Sequence, residues 1–356
     1  MTADQRDWIV RQRLHGQLLR GAGAADPAQT VARLTAMQAQ EHLHARWSVA
    51  QRMAGAPPAS AIDQAFDEGT FLRTHVLRPT WHYVAATDLR WLMRLSGPRV
   101  DAGNARMHAD LGLDGGTLAR SNEVIAEAVA AGPHTRSELA AVLDSRGLGA
   151  TAMRSTYMVM HAELTAVICS GPMRGKQHTY AAFDQRVPSE PGPDGDEALA
   201  ELAWRYFSTR GPATVRDFAW WSGISAQDAR RGLDMVRPRL AARDEDSRSY
   251  IFAERSLPSC VASQVDLVQC FDELIISYSQ TRDVLNSPLA DFPVPRDVDG
   301  YRHVLLMGGR LLGHWRARLA RGGAEVETRT PGSLNDEQLG QLSRAVEGYR
   351  QFTRPA

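Results

Sequence analysis

One phrase occurs twice in this chain and dictates the layout around it. Residues 132–140 read Gly-Pro-His-Thr-Arg-Ser-Glu-Leu-Ala, and residues 211–219 read Gly-Pro-Ala-Thr-Val-Arg-Asp-Phe-Ala. Gly permits a positive φ and Pro cannot donate into a continuing helix, so each copy stops the helical pattern before it. The Thr that follows is an N-cap, with an acidic residue three positions on: Glu138 after Thr135, Asp217 after Thr214. A helix, a sharp stop, a capped short helix and a third helix make a helix-turn-helix layout. Two copies predict a chain built from DNA-binding-type modules in tandem.

The periodicities around these copies predict a mainly α fold with β: tandem winged helix-turn-helix modules, then a C-terminal β-rich, small barrel-like domain. The expected divisions are 1–115, 116–190, 191–256 and 257–356. In the first module a helix covers 5–20, and Asp26-Pro27 opens another that runs toward Gln40. A third starts near His44, Ser60 caps a fourth through Phe66, and the β-rich residues 70–87 read as a hairpin. The second module has helices at 119–131, 136–145 and 151–168, then a wing tipped by Arg174, Gly175 and Lys176. The third has helices at 197–209, 215–222 and 225–238, with a wing strand at 248–254. In the terminal domain, residues 301–318 form a hairpin whose Gly308-Gly309 pair suits a primed two-residue turn. Residues 325–330 add a strand, and Asn335 opens a final helix.

Charge and cysteine content exclude several classes. Lys+Arg and Asp+Glu balance at 41 each, so no strong overall field draws the chain onto nucleic acid or membrane. Lys176 is the only lysine. Arginine suits bidentate phosphate contacts, although the same bias follows from a GC-rich genome. No apolar run reaches the ~20 residues of a membrane span, and the charged N-terminus lacks a signal-peptide core. Cys169, Cys260 and Cys270 are odd in number and form no CxxC. A reduced, cytoplasmic (nucleoid-associated) location follows as the expectation. No phosphate loop, GxSxG elbow or HExxH motif occurs. His42 and His44 would point apart on a helix, so neither metal nor cofactor is expected.

Gln38-Ala39-Gln40 closes an apolar helical face formed by Val31, Leu34 and Met37. On a regular helix the two amides diverge; they converge only if the helix tightens or ends there. A glutamine carbonyl can orient a water and face positive charge. The bland alternative is a pair of surface polar residues.

Five segments together resemble one family. They are Arg33-Leu-Thr-Ala-Met-Gln-Ala-Gln40, Val76-Leu-Arg-Pro-Thr-Trp-His-Tyr-Val84, Arg210-Gly-Pro-Ala-Thr-Val-Arg-Asp-Phe-Ala-Trp-Trp-Ser-Gly223, Phe271-Asp-Glu-Leu-Ile-Ile-Ser-Tyr278 and Gly309-Arg-Leu-Leu-Gly-His-Trp315. The chain is similar to the HTH_42 (AlkZ/YcaQ-like) winged-helix DNA glycosylases. The resemblance implies tandem winged helices in a C shape with a β-domain, and excision of N-alkylated purines. The family's Gln-apolar-Gln motif falls on Gln38 and Gln40, placing the chain with the AlkZ-like branch and its self-resistance role against bulky alkylating natural products.

The resulting expectation is a monofunctional glycosylase. It would hydrolyse cationic N7-alkylguanine adducts, interstrand crosslinks included, in double-stranded DNA, as a monomer. Gln38 and Gln40 would be catalytic; Arg78, Trp81, His82, Arg174 and Lys176 would contact DNA. A structural role for Trp81 and for His82 stays open. The rival is a non-catalytic winged-helix regulator or drug-sequestering protein. Asp272 and Glu273 receive no role from sequence.

Overall fold

The computed structural model describes residues 1–257, 263–288, 290, 303–320 and 323–355. Cys260, and the first two residues of the expected 301–318 hairpin, lie outside the described residues. The chain divides into two compact units, one of Gln64–Leu199 and one combining Met1–Asp63 with Ala200–Ala356.

The Gln64–Leu199 unit starts with the hairpin Phe71–Val76/Arg78–Ala85, whose register pairs His75 with Trp81. The strands are joined through Leu77 at φ +63°. That tip is secured by helix Ala86–Gly103: Ser96 Oγ accepts from the Leu77 N–H (3.0 Å), and Arg99 donates to the Leu77 carbonyl (2.6 Å). Three longer helices follow, Gly115–Ala130, Arg136–Ser145 and Ala152–Leu164. Ile125 and Val129, Leu139 and Leu143, and Met158 and Ala162 recur at i, i+4, so each helix turns one apolar stripe into a shared core. A three-stranded sheet completes the unit, with Thr179–Ala182 between His134–Thr135 and Ile168–Ser170. The third helix ends at Leu164, short of the expected 168, because Ala166 takes φ +57°.

The other unit is built from both chain ends. Helix Ala3–Gly16 carries a Thr2/Gln5 capping box and buries Ile9, Val10 and Leu14 against Val268, Leu274, Val304 and Leu311. It begins and ends earlier than the expected 5–20, since the chain turns at Leu18 (φ +62°). Helices Val215–Ser222 and Ala226–Val236 lead into the hairpin Ala241–Glu245/Arg248–Phe252. The helix expected from a Ser60 cap runs over Ala59–Glu68, with Ser60 inside its first turn.

The last strands, Val265–Val268, His303–Met307, Arg310–Ala320 and Gly323–Arg329, pair antiparallel in chain order. Gly308 (φ +56°) and Gly309 (φ +79°) make the two-residue turn, as the sequence predicts. The sheet is curled, not closed. Helix Asp336–Thr353 packs on both edge strands, with Tyr349 and Phe352 stacked among Trp47 and Trp315. No helix among the described residues is long and apolar enough to cross a membrane.

Candidate active site

The segment carrying the two glutamines is not helical. Asp26 caps helix Pro27–Leu34, and Val31 and Leu34 are buried, as the sequence predicts, but the helix stops six residues before Gln40. Thr35 stands at φ +65°, ψ −56°, and the Ala36 N–H donates to the Leu34 carbonyl (2.7 Å). This is the positive-φ γ-turn, a rare and strained conformation. For a β-branched residue the strain is of order 1–3 kcal/mol. Thr35 is fully buried, and its hydroxyl has no hydrogen-bond partner among the described residues. After it the chain is extended over Met37–Gln38. Only Gln38 lies in that strand, buried together with Met37 and Ala39, whereas Gln40 follows in a bend and is exposed. The divergence imposed by helical spacing is gone.

What holds this segment comes from far along the chain. The Gln38 N–H donates to Glu273 Oε1 (2.9 Å), and Arg210 Nη2 donates to the Ala36 carbonyl (2.9 Å). Arg210 and Glu273 are themselves paired at 2.6 Å, both essentially without exposed surface. Trp221 Nε1 (2.8 Å) and Ser277 Oγ (2.7 Å) complete the Glu273 carboxylate, and the guanidinium lies 4.2 Å from the Trp221 ring centroid. Burial opposes ionisation of Glu273, but the Arg210 charge and the hydrogen bonds from Arg210, Ser277 and Gln38 outweigh it and hold its carboxyl below the usual range. A buried ion pair adds little net stability, since desolvation offsets attraction. This one satisfies backbone groups on both sides of Met37, and so fixes the path of the glutamine segment.

The neighbouring acid acts separately. Asp272 takes a two-pronged bond from Arg52 (2.8 and 2.7 Å) and one from Ser48 (2.7 Å), and caps the short helix Glu273–Ile276. That helix presents Glu273 to Gln38. Neither role shows in the sequence, because Arg52 lies 220 positions from Asp272, and Arg210 and Gln38 lie 63 and 235 positions from Glu273.

Glu41, Cys270 and His303 bring potential ligand atoms within 4.8 Å of one another. The backbone N–H of Cys270 donates to His303 Nδ1 (3.1 Å), which places the ring proton on Nε2, the nitrogen nearer Glu41. Burial pushes the Cys270 thiol up to about 12. Both groups would have to release a proton to bind a metal ion.

The other residues singled out from sequence lie in the Gln64–Leu199 unit. His82 is fully buried, its Nδ1 2.9 Å from the Thr80 carbonyl oxygen and its Nε2 3.5 Å from Arg78. It therefore has no surface to offer DNA, and the structural alternative describes it. Trp81 is half-buried, its ring against His75 (4.5 Å) and Arg73 (4.3 Å). Arg174 is tied to Glu138 (2.6 Å) and to the Pro133 carbonyl (2.7 Å). Lys176 is exposed in a turn, beside Gly175 at φ +62°.

The chain is mainly helical, with a curled four-stranded terminal sheet. The sequence profile of the AlkZ-like DNA glycosylases matches residues 31–352, and the chain belongs to that family. It is a DNA glycosylase, with DNA as substrate and DNA repair as its role. Among solved structures it is similar to the Streptomyces sahachiroi DNA glycosylase AlkZ, with a TM-score of 0.77 at 18% identity, covering 99% of this chain and 97% of that one. No curated protein sequence matches.

Proposed function

We propose that this glycosylase hydrolyses the N-glycosidic bond of cationic N7-alkylguanine in duplex DNA, with Gln38 and Gln40 as the catalytic pair. The observation that carries the reading is the strained turn at Thr35 followed by a backbone clamped by Arg210 and Glu273. Unpaired backbone strain of this kind persists only where surrounding structure enforces it, and it gathers at functional sites.

The chemistry needs little acid. Alkylation at N7 leaves the base positively charged, so the C1′–N9 bond breaks with its electron pair going to the departing base. The sugar becomes oxocarbenium-like. The two side-chain carbonyls offer dipoles for that charge and an acceptor for the attacking water, through positioning and electrostatics. Water oxygen bonds C1′, its proton passes to solvent, and the neutral alkylguanine leaves. No lysine stands in the segment, so no Schiff base forms and an abasic site is the product. In this reading the capped helices and hairpins of the two repeat copies are winged-helix modules that carry DNA, and the protein acts as a monomer. Bulky adducts and crosslinks belong to the proposed range.

The test is base release from duplex bearing N7-methylguanine or a bulky N7 adduct, followed by alkali cleavage. Adduct-dependent breaks should fall about 100-fold or more in Gln38→Ala/Gln40→Ala with duplex binding retained. Equal release by the double variant would overturn the assignment of these residues. No release from any N7 adduct would overturn the substrate class.

A further inference from the structure

A cavity of about 690 Å³ opens in the Gln64–Leu199 unit between the hairpin, the wing and the N-terminus of helix Arg136–Ser145. Arg73, Trp81, Arg136, Gln177, His178 and Tyr180 form its chemistry-bearing wall, and no carboxylate lines it. Sequence pointed to Trp81 alone, because the two arginines are 63 positions apart and meet only in the fold.

Two guanidinium groups share the Trp81 ring. Arg73 lies 4.3 Å and Arg136 5.5 Å from its centroid. Like charges so close call for a counterion. Glu163 acts on both guanidinium groups from behind the wall, where it is buried and bonded to His75 (2.7 Å). Arg136 donates to the Tyr180 hydroxyl (3.3 Å) and forms no ion pair among the described residues. Burial, then the charges of Arg73 and Arg136, push His178 down to about 4, so near neutral pH it adds no competing positive charge. The helix that starts at Arg136 is ten residues long, and the positive end of its dipole adds to the field. The volume exceeds that of a lone ion and suits a phosphate with an attached sugar.

We propose that this cavity is a phosphate site in which Arg73 and Arg136 take the oxyanion of a phosphodiester on the bound DNA strand. Guanidinium forks match phosphate geometry. The site is independent of the glutamine segment, and its test needs no catalysis.

The experiment uses the full chain, Arg136→Gln, Arg136→Lys and the Gln38→Ala/Gln40→Ala variant. Duplex affinity is measured against salt by fluorescence polarisation, and inorganic phosphate is titrated while the arginine Nε–H resonances are followed. In Arg136→Gln, affinity should fall about tenfold alike for unrelated sequences, and the slope of log K on log salt should drop by about one. Arg136→Lys should keep the slope, since it keeps the charge, and serves also as the folded reference should Arg136→Gln fail to fold. The double glutamine variant should bind as the wild type does. Arg136-dependent phosphate shifts with an unchanged salt slope would overturn the DNA source and leave free phosphate as the ligand. An unchanged slope and no phosphate shifts would overturn the site altogether.

Discussion

The two copies of the Gly-Pro-x-Thr phrase fold alike locally and serve differently. Both form the capping box that the sequence predicts, Thr135 with Glu138 and Thr214 with Asp217. In the first copy Glu138 sits at the surface, where it also pairs with Arg174. In the second, Asp217 has no exposed surface. Its Oδ1 accepts from the backbone N–H groups of Ser279, Gln280 and Thr281, and its Oδ2 from the Thr281 hydroxyl. The glycines differ too. Gly132 stands at φ +139° in open space; Gly211 has an ordinary φ, but a Cβ there would lie 2.4 Å from the Phe207 carbonyl oxygen and 2.8 Å from that of Ile251. The residue before each glycine completes the contrast: Ala131 ends one helix, and Arg210, which clamps the glutamine segment, ends the other. One local code thus specifies a helix start in both places, and burial turns the second copy into an anchor for the backbone around Met37.

The largest expected difference between the copies is at the acid. Asp217→Ala leaves a set of buried donors unpaired and should cost about 4 kcal/mol, against about 1 kcal/mol for Glu138→Ala, which loses only a surface cap. Urea unfolding of the full chain measures both; equal losses would erase the distinction. The glycines come next. Gly211→Ala should cost about 3 kcal/mol through overlap with backbone, whereas Gly132→Ala should cost about 1 kcal/mol through its φ.

A smaller effect is expected from Glu273→Gln, which keeps an oxygen for the Gln38 N–H but removes the charge opposite Arg210. Base release should fall about tenfold, roughly 1.4 kcal/mol of barrier, with duplex affinity unchanged. A matching loss of affinity would mean that the clamp supports the fold rather than the glutamines.

The last prediction concerns acid, and one histidine in each unit. Burial pushes His178 and His303 down to about 4. Unfolded, each takes a proton near pH 6.5, so unfolding takes up protons between these values. Stability is therefore full above pH 6.5 and declines as pH falls toward 4. Replacing either histidine with Gln should flatten that decline in thermal melts, and an unchanged profile for both variants would remove the histidines as its cause.

Much of the fold was legible because its signals are local. Cap residues, the Gly308-Gly309 turn and the i, i+4 stripes act within a few residues of where they are read. The end of the Pro27–Leu34 helix was not, since Thr35 has no intrinsic preference for positive φ and neither Gly nor Pro marks the stop. The resemblance pointed to Gln38 and Gln40, but the extended backbone at Met37–Gln38 is held by Arg210 and Glu273. Arg73 and Arg136 were invisible as a pair for the same reason: nothing in sequence announces contact across 63 positions.

The sequence by itself determined where capped helices start and where hairpins turn. Only the tertiary structure decided which charges are buried together. Capping and turn preferences are settled by short-range sterics and hydrogen bonds within one segment. The conformation of residues 35–38, and the meeting of two arginines on Trp81, are settled by desolvated partners that the folded chain alone brings within reach.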